Sequence, residues 1–301
     1  MRVFVTGASG HIGLAVVPEL LQAGHEVAGL ARSDASAAAL TAAGAQVVRG
    51  DLDDLDGLRA AAAASDGVMH LAFKHELMLV GDWLGAVDAD LRAIEAIGSA
   101  LEGSGKPFVS TSGTLMLARG GVDGRPGTEE DVIEAGPRVD AENHVIALAE
   151  RGVRSAIVRL PPLVHSDLDH HGFGPALIGI ARDKGVAGYV GDGANRWPAV
   201  HTLDAARAYR LAVERAAAGT RLHAVADEGV PIRAVAELIA ARLGVPAISV
   251  APEAAAEHVG FLGRFWAFDG PASAQLTRDL LGWEPTRPGL IADLEEGHYF
   301  R

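Results

Sequence analysis

The segment Thr6-Gly7-Ala8-Ser9-Gly10-His11-Ile12-Gly13 spaces three glycines three residues apart, after a short β-rich run and before apolar residues at helical spacing. Backbone without Cβ atoms can approach a diphosphate closely, and the first turn of a helix offers free N–H donors and the positive end of a dipole. Gly7, Ser9, Gly10, His11, Ile12 and Gly13 are accordingly expected to hold the pyrophosphate of a dinucleotide, with an ordinary tight turn as the bland alternative. The residue that reads the adenosine ribose belongs roughly 20 positions further on. Arg32 and Asp34 both fall there. Arg32, leaving the second strand beside Ser33, offers a guanidinium and a hydroxyl that suit a 2′-phosphate, which favours NADP. Asp34 is then a first-turn helix acid. Were Asp34 the reader, the ligand would be NAD.

His165-Ser166-Asp167-Leu168-Asp169-His170-His171 is the densest run of potential ligands. Its histidines and carboxylates could hold a divalent ion. Adjacent histidines on a loop rarely converge on one centre, however, and no His-x-x-x-His frame exists, so no metal is expected. The loop follows a strand ending at the carboxyl edge of the sheet, where substrates bind, which makes His165, His170 and His171 substrate candidates. A solvated loop is the other reading.

The elements that must position these groups alternate. Residues 3–5, 26–30, 46–49, 68–71, 108–110 and 156–160 read as strands, and 12–23, 33–43, 53–64, 83–101 and 138–150 as helices. Such repeats predict an α/β, Rossmann-type doubly wound parallel sheet covered on both faces. Asp51-Leu52 and Leu71-Ala72-Phe73 end the third and fourth strands, where cofactor contacts gather in such folds. Residues 113–136, rich in Gly, Pro and acid, read as a long loop. Beyond Pro161-Pro162 the rhythm weakens; 175–184, 203–217, 231–243 and 272–281 look helical, with short irregular stretches between. The expected organisation is a dinucleotide-binding domain over 1–165, with contributions from about 198–225, and a smaller C-terminal substrate-binding cap over most of 166–301.

Composition narrows the chemistry. With 301 residues, 49% hydrophobic and 22% charged, the chain is expected to be globular rather than disordered. The net charge of −13 opposes a phosphate backbone, so no nucleic acid is expected as a partner. Lys74, Lys106 and Lys184 are the only lysines, and cysteine is absent, which removes disulfides and thiolate chemistry. Residues 1–6 enter the glycine motif without a targeting segment, and no 18-residue apolar run follows, so a cytoplasmic protein without a membrane partner is expected.

Together these residues resemble the extended branch of the short-chain dehydrogenase/reductase superfamily, the NAD(P)-dependent epimerase/dehydratase-like group, over nearly the whole chain. The resemblance implies that Asp51-Leu52 contacts adenine and that the Ala72 backbone lies behind the nicotinamide ribose. It also implies that Ser110-Thr111-Ser112 is the catalytic serine segment, with Ser112 in the catalytic place, and that Leu160-Pro161 turns beside the nicotinamide. Asn195-Arg196-Trp197-Pro198 with His201 resembles the segment bordering the substrate; a packed Trp-Pro turn is equally consistent. Val200-His201-Thr202-Leu203-Asp204 and Leu281-Gly282-Trp283-Glu284-Pro285 resemble late family signatures. Helices 83–101 and 138–150 correspond to those that often pair subunits in this family, which implies a homodimer.

One departure matters. The family usually carries Tyr-x-x-x-Lys on the helix after the loop, and the only tyrosines here are Tyr189, Tyr209 and Tyr299. Glu134 falls at the tyrosine place and Arg138 at the lysine place. Arginine cannot shuttle protons, though its fork could hold the nicotinamide ribose or a substrate carboxylate. Ser112 and Thr111 could orient a carbonyl, and Tyr189 could descend from the cap as a phenol. The leading expectation is an NADP(H)-dependent oxidoreductase that transfers hydride to or from a small carbonyl, imine or alkene, with a non-standard proton donor. An epimerase or dehydratase and a non-catalytic NADP(H)-binding sensor are the alternatives.

Overall fold

The computed structural model describes residues 1–122 and 124–301. Along the chain run β1 (Arg2–Thr6), α1 (Gly13–Gln22), β2 (Glu26–Ala31), α2 (Asp34–Ala42), β3 (Gln46–Arg49), α3 (Leu55–Ala63) and β4 (Gly67–His70). Next come α4 (His75–Leu79), α5 (Trp83–Leu101), β5 (Pro107–Gly113), α6 (Leu115–Arg119), α7 (Val139–Ala147) and β6 (Arg154–Leu160). The remainder holds β7 (Leu163–His165), α8 (Phe173–Lys184), β8 (Ala187–Val190), β9 (Arg196–His201), α9 (Thr202–Arg215), β10 (Thr220–His223) and β11 (Asp227–Pro231). It ends with α10 (Ile232–Leu243), β12 (Ala247–Val250), α11 (Ala255–Val259), α12 (Gln275–Leu281) and α13 (Leu290–Glu295).

Seven parallel strands form the central sheet in the order β10-β6-β5-β4-β1-β2-β3. The period-2 alternation of side chains splits each strand between two cores. Val3 and Val5 join α1, α2 and α9, whereas Phe4 joins α3, α5 and α7. The same alternation governs β5: Val109 faces the α9 side and Phe108 the α7 side. Thr111 and Ser112, two and four residues further along, inherit those opposite faces. A separate apolar cluster around Trp197, Trp266 and Ile232 forms the cap, which is built on the three-stranded sheet β11-β9-β7 and the pair β12-β8.

Some local structure differs from expectation. The segment expected to be loop from 113 begins with α6, whose Leu117 is buried. The stretches beyond Pro162 expected to be irregular contain six strands, β7 to β12, each only three to six residues long and thus too short to show a clear alternation. No helix among the described residues is long and apolar enough to cross a membrane.

The two late signatures meet each other. Trp283 Nε1 donates to the Asp204 carbonyl at 3.0 Å, and the buried Asp204 carboxylate accepts from the amides of Thr286 and Arg287 at 2.9–3.0 Å. Their joint role is to fasten the C-terminal segment to α9. Because the substitution takes the shared acceptor from two backbone amides at the half-buried edge of α9, Asp204→Ala is expected to lower unfolding free energy by roughly 1–2 kcal/mol in a urea titration. A loss within experimental error would contradict this role.

Candidate active site

The first βα turn is set by steric necessity. Gly7 has φ +67°, and a Cβ there would stand 2.7 Å from the Ala72 nitrogen; a Cβ at Gly13 would stand 2.3 Å from the Gly7 carbonyl oxygen. Gly10 N donates to that carbonyl at 3.0 Å. No side chain caps α1, and although Leu14 N and Ala15 N already donate to the Gly10 and Ile12 carbonyls, the amides of His11, Ile12 and Gly13 at the mouth of the turn have no backbone acceptor. Bare backbone beside an open helix start fits a pyrophosphate. The His11 side chain turns away from this cradle, with Nε2 2.9 Å from Thr202 Oγ1 and Nδ1 3.5 Å from Asp169 Oδ1.

Arg32 leaves β2 directly, and Ser33 caps α2 by accepting from Ser36 N at 3.1 Å. The Arg32 guanidinium lies 2.6 Å from Glu76. Asp34 instead pairs with Arg49 at 2.5 Å. The Asp51 carboxylate is engaged within its own loop, accepting from Asp53 N at 2.8 Å, and Leu52 is buried. Leu71 N bonds to the Thr6 carbonyl at 3.3 Å, and Ala72 N donates to Thr6 Oγ1 at 3.3 Å, so the β4 exit is sewn to the turn.

Across this edge stands Arg138, the one non-glycine residue with positive φ (+70°) among those described. Its guanidinium lies 4.1 Å from the centroid of the Phe73 ring, a cation–π contact. A bulky residue held in this region stores strain, which marks candidate functional positions. Phe73 also packs against His75 and Trp83. Sequence reasoning passed over these two residues, although the Lys74-His75-Glu76 triplet next to a strand end was a visible signal.

Ser112 is buried on the α7 face. Its Oγ makes no hydrogen bond of good geometry, yet it stands near enough to Glu142 to help hold that carboxylate ionised. Burial pushes the Glu142 carboxyl up, but Arg159, Ser112 and Arg221 more than offset this and keep it below the ordinary value. The Arg159–Glu142 and Arg221–Glu142 contacts are 2.6 and 2.9 Å. Leu160, at the end of β6, accepts from Thr114 N at 2.9 Å, and Pro161 beside it is buried.

Several expected site residues lie elsewhere. Thr111 is on the opposite face, donating to the His70 carbonyl at 3.0 Å and bonded to Tyr209 at 2.8 Å, so its hydroxyl is not free to orient a substrate. Burial drives the Tyr209 phenol well above its ordinary pKa. Tyr189 does not descend from the cap: it lies on β8 under the Arg233 guanidinium, 5.5 Å from its ring centroid. Trp197 is wholly buried, with Nε1 donating to the Phe268 carbonyl at 3.1 Å, and belongs to the cap core rather than a substrate wall. His201 caps α9 by accepting from Leu203 N. His165 is buried against Asp293 at 2.9 Å. His170 and His171 are exposed near the turn. The loop donors thus diverge rather than converge on one ion. Among the described residues, Asp293, Glu296 and His298 are the ligand-type groups that gather, on and after α13.

Fold and site define a class: the chain has the fold of the extended branch of the short-chain dehydrogenase/reductase superfamily. Residues 3–119 match the NAD dependent epimerase/dehydratase family. An uncharacterized protein of Schizosaccharomyces pombe, C2A9.02, is 47% identical over 302 residues, spanning 100% of both chains. A 2-alkyl-3-oxoalkanoate reductase of Stenotrophomonas maltophilia is 28% identical over 268 residues, or 83% of this chain and 78% of its own. The structure of DesIV, the dTDP-glucose 4,6-dehydratase of Streptomyces venezuelae, with NAD and TYD bound, superposes with a TM-score of 0.78 at 21% identity, covering 99% of this chain and 96% of that one.

The His11–Asp169 contact that joins turn and cap titrates in opposed directions. Burial and the neighbouring His170, His165 and His171 lower His11 from 6.5 to about 4, so its stabilising contribution is complete above pH 6.5 and is lost as pH falls to 4. Burial raises Asp169 from 3.8 to about 6, so its contribution is complete below pH 3.8 and is lost as pH rises through 6. The two offset one another between pH 4 and 6. His11→Gln removes the first alone and is expected to become more stable than wild type on acidification from pH 6.5 to 4.5, by roughly 2 kcal/mol in relative terms. Urea midpoints across that range test it; parallel profiles for the two proteins would be the contrary result.

Proposed function

We propose that this protein is an NADP(H)-dependent reductase of a small carbonyl compound, most aptly one that carries a carboxylate near the reacting oxo group. The observation that carries this reading is Arg138, held at φ +70° over Phe73 in the place where the family's lysine stands. No carboxylate pairs with it among the described residues. When bound, NADPH would supply the hydride. Arg138 would attract the substrate's anionic group or stabilise the negative charge that develops on the carbonyl oxygen. Ser112, on the same face as α7, would orient that oxygen, with its hydroxyl backed by the Glu142–Arg159 ion pair. Because a guanidinium keeps its proton, the proton that completes the alcohol comes from water.

NADP over NAD is inferred from Arg32 at the exit of β2 and from Asp34, which is turned to Arg49. The oxoalkanoate reductase among the relatives is in keeping with an oxo acid as substrate. An epimerase or dehydratase reading needs a strong base, and the three tyrosines are engaged elsewhere: Tyr209 on Thr111, Tyr189 under Arg233 and Tyr299 on Asp169. We further infer that the neighbouring helices α5 and α7 pair two copies of the chain.

The test is NADPH oxidation with a panel of small oxo acids and the matching ketones. Arg138→Met is expected to reduce kcat/KM for oxo acids by about 10²–10³, the effect of removing one oxyanion-stabilising donor, and to alter NADPH affinity only a few-fold. Tight NADPH binding without turnover on any compound, unaffected by Ser112→Ala, would identify a binding protein instead.

A further inference from the structure

At the carboxyl ends of β2 and β3, two guanidinium groups and two carboxylates close into pairs: Arg32 with Glu76 at 2.6 Å and Arg49 with Asp34 at 2.5 Å. This quartet carries no net charge, so a dinucleotide with an added 2′-phosphate, worth roughly −1.5 to −2, finds no free cation beside β2 unless one pair opens. The two pairs differ in how they are anchored. Arg49 ends β3 opposite Ala31 of β2, and Asp34 is the first residue of the nine-residue helix α2 that follows β2. Glu76 rides on the five-residue helix α4, fixed on its near side by Lys74 on Asp53 at 2.5 Å.

We propose that Glu76 is a specificity-determining residue that competes with the 2′-phosphate for Arg32. This rests on the reading of Arg32 as the phosphate-binding residue. With NAD, whose ribose ends in a hydroxyl, the Arg32–Glu76 pair stays closed. With NADP, the guanidinium exchanges the carboxylate for phosphoryl oxygens. Both side chains are solvent-accessible, 68% for Arg32 and 49% for Glu76, so the closed pair is weak and readily exchanged. A phosphate monoester is the stronger partner for arginine because it carries nearly twice the charge of a carboxylate and offers three acceptor oxygens. The displaced carboxylate then remains close to a dianion, which penalises NADP relative to what Arg32 alone would give.

The experiment is calorimetric titration of the full-length protein at fixed ionic strength with adenosine 2′,5′-bisphosphate and, separately, with 5′-AMP. Glu76→Gln is expected to tighten the bisphosphate about tenfold, or about 1.4 kcal/mol, and to leave 5′-AMP within twofold. In an Arg32→Ala background the same substitution is expected to tighten the bisphosphate clearly less than in wild type, because competition for the guanidinium is gone and only the direct repulsion of the phosphate remains. Equal tightening of both ligands, or an unchanged bisphosphate affinity, overturns the role of Glu76 while leaving that of Arg32 intact. If Arg32→Ala does not weaken the bisphosphate, the reading of Arg32 falls and the proposal falls with it. Matching thermal unfolding curves for the variants establish that the comparison is between folded proteins.

Discussion

A close approach between two pieces of backbone governs the site. The turn after β1 passes so near the exit of β4 that a single methyl group at Gly7 would overlap the Ala72 amide. That approach exists because β1 and β4 are hydrogen-bonded neighbours, with Thr6 opposite His70. Polar bonds hold it shut: Thr6 Oγ1 lies 2.8 Å from His70 Nδ1, and His70 Nε2 lies 3.1 Å from Asp90 on α5. An anion at the start of α1 would thus rest on a surface braced through two strands and a helix, which limits the reorganisation that binding demands.

Against this rigid floor, the catalytic wall is unusual. The alternation of β5 delivers Ser112 to the α7 face and Thr111 to α9, so only one of the paired hydroxyls faces the helix on which the family keeps its proton donor. The residue that leads into that helix, Arg138, keeps a cation at the lysine place, and no phenol stands at the tyrosine place. A permanently charged group can hold an anion and steady a transition state, but it cannot exchange a proton near neutral pH. Under the proposed function, the chemistry would depend on electrostatics and water rather than on a tuned acid.

The fold was legible because its signals are local. Val3 to Val5, the glycines after them and the apolar stripe of α1 each speak through near neighbours, and parallel strands buried on both faces read as continuous apolar runs. The glycine turn between β1 and α1 was legible for the same reason. Residues of the upper site were harder to place. Trp197 and His201 resemble a substrate border in type and order, but one fills the cap core and the other caps a helix, choices made by contacts with Phe268 and Leu203. Nothing in the spacing of Tyr189 shows that β8 pairs with β12 from more than fifty residues away, which keeps the phenol in the cap. The pairing of Glu76 with Arg32 spans 44 residues of sequence and is set by the placement of α4.

Helix α9 links parts of the chain that are remote in sequence. Its first residue, Thr202, touches His11 of the glycine turn, and two residues on Asp204 grips the backbone after Trp283. Tyr299 completes the circuit, bonding to Ser166 N and Asp169 in the loop that His11 also meets. Proteolytic loss of the segment from Thr286 onward would therefore strip partners from Asp204, Ser166 and Asp169 together, and the damage would register at the nucleotide cradle near the opposite terminus. By the same linkage, a ligand that binds the glycine turn would also protect the C-terminal segment from proteases.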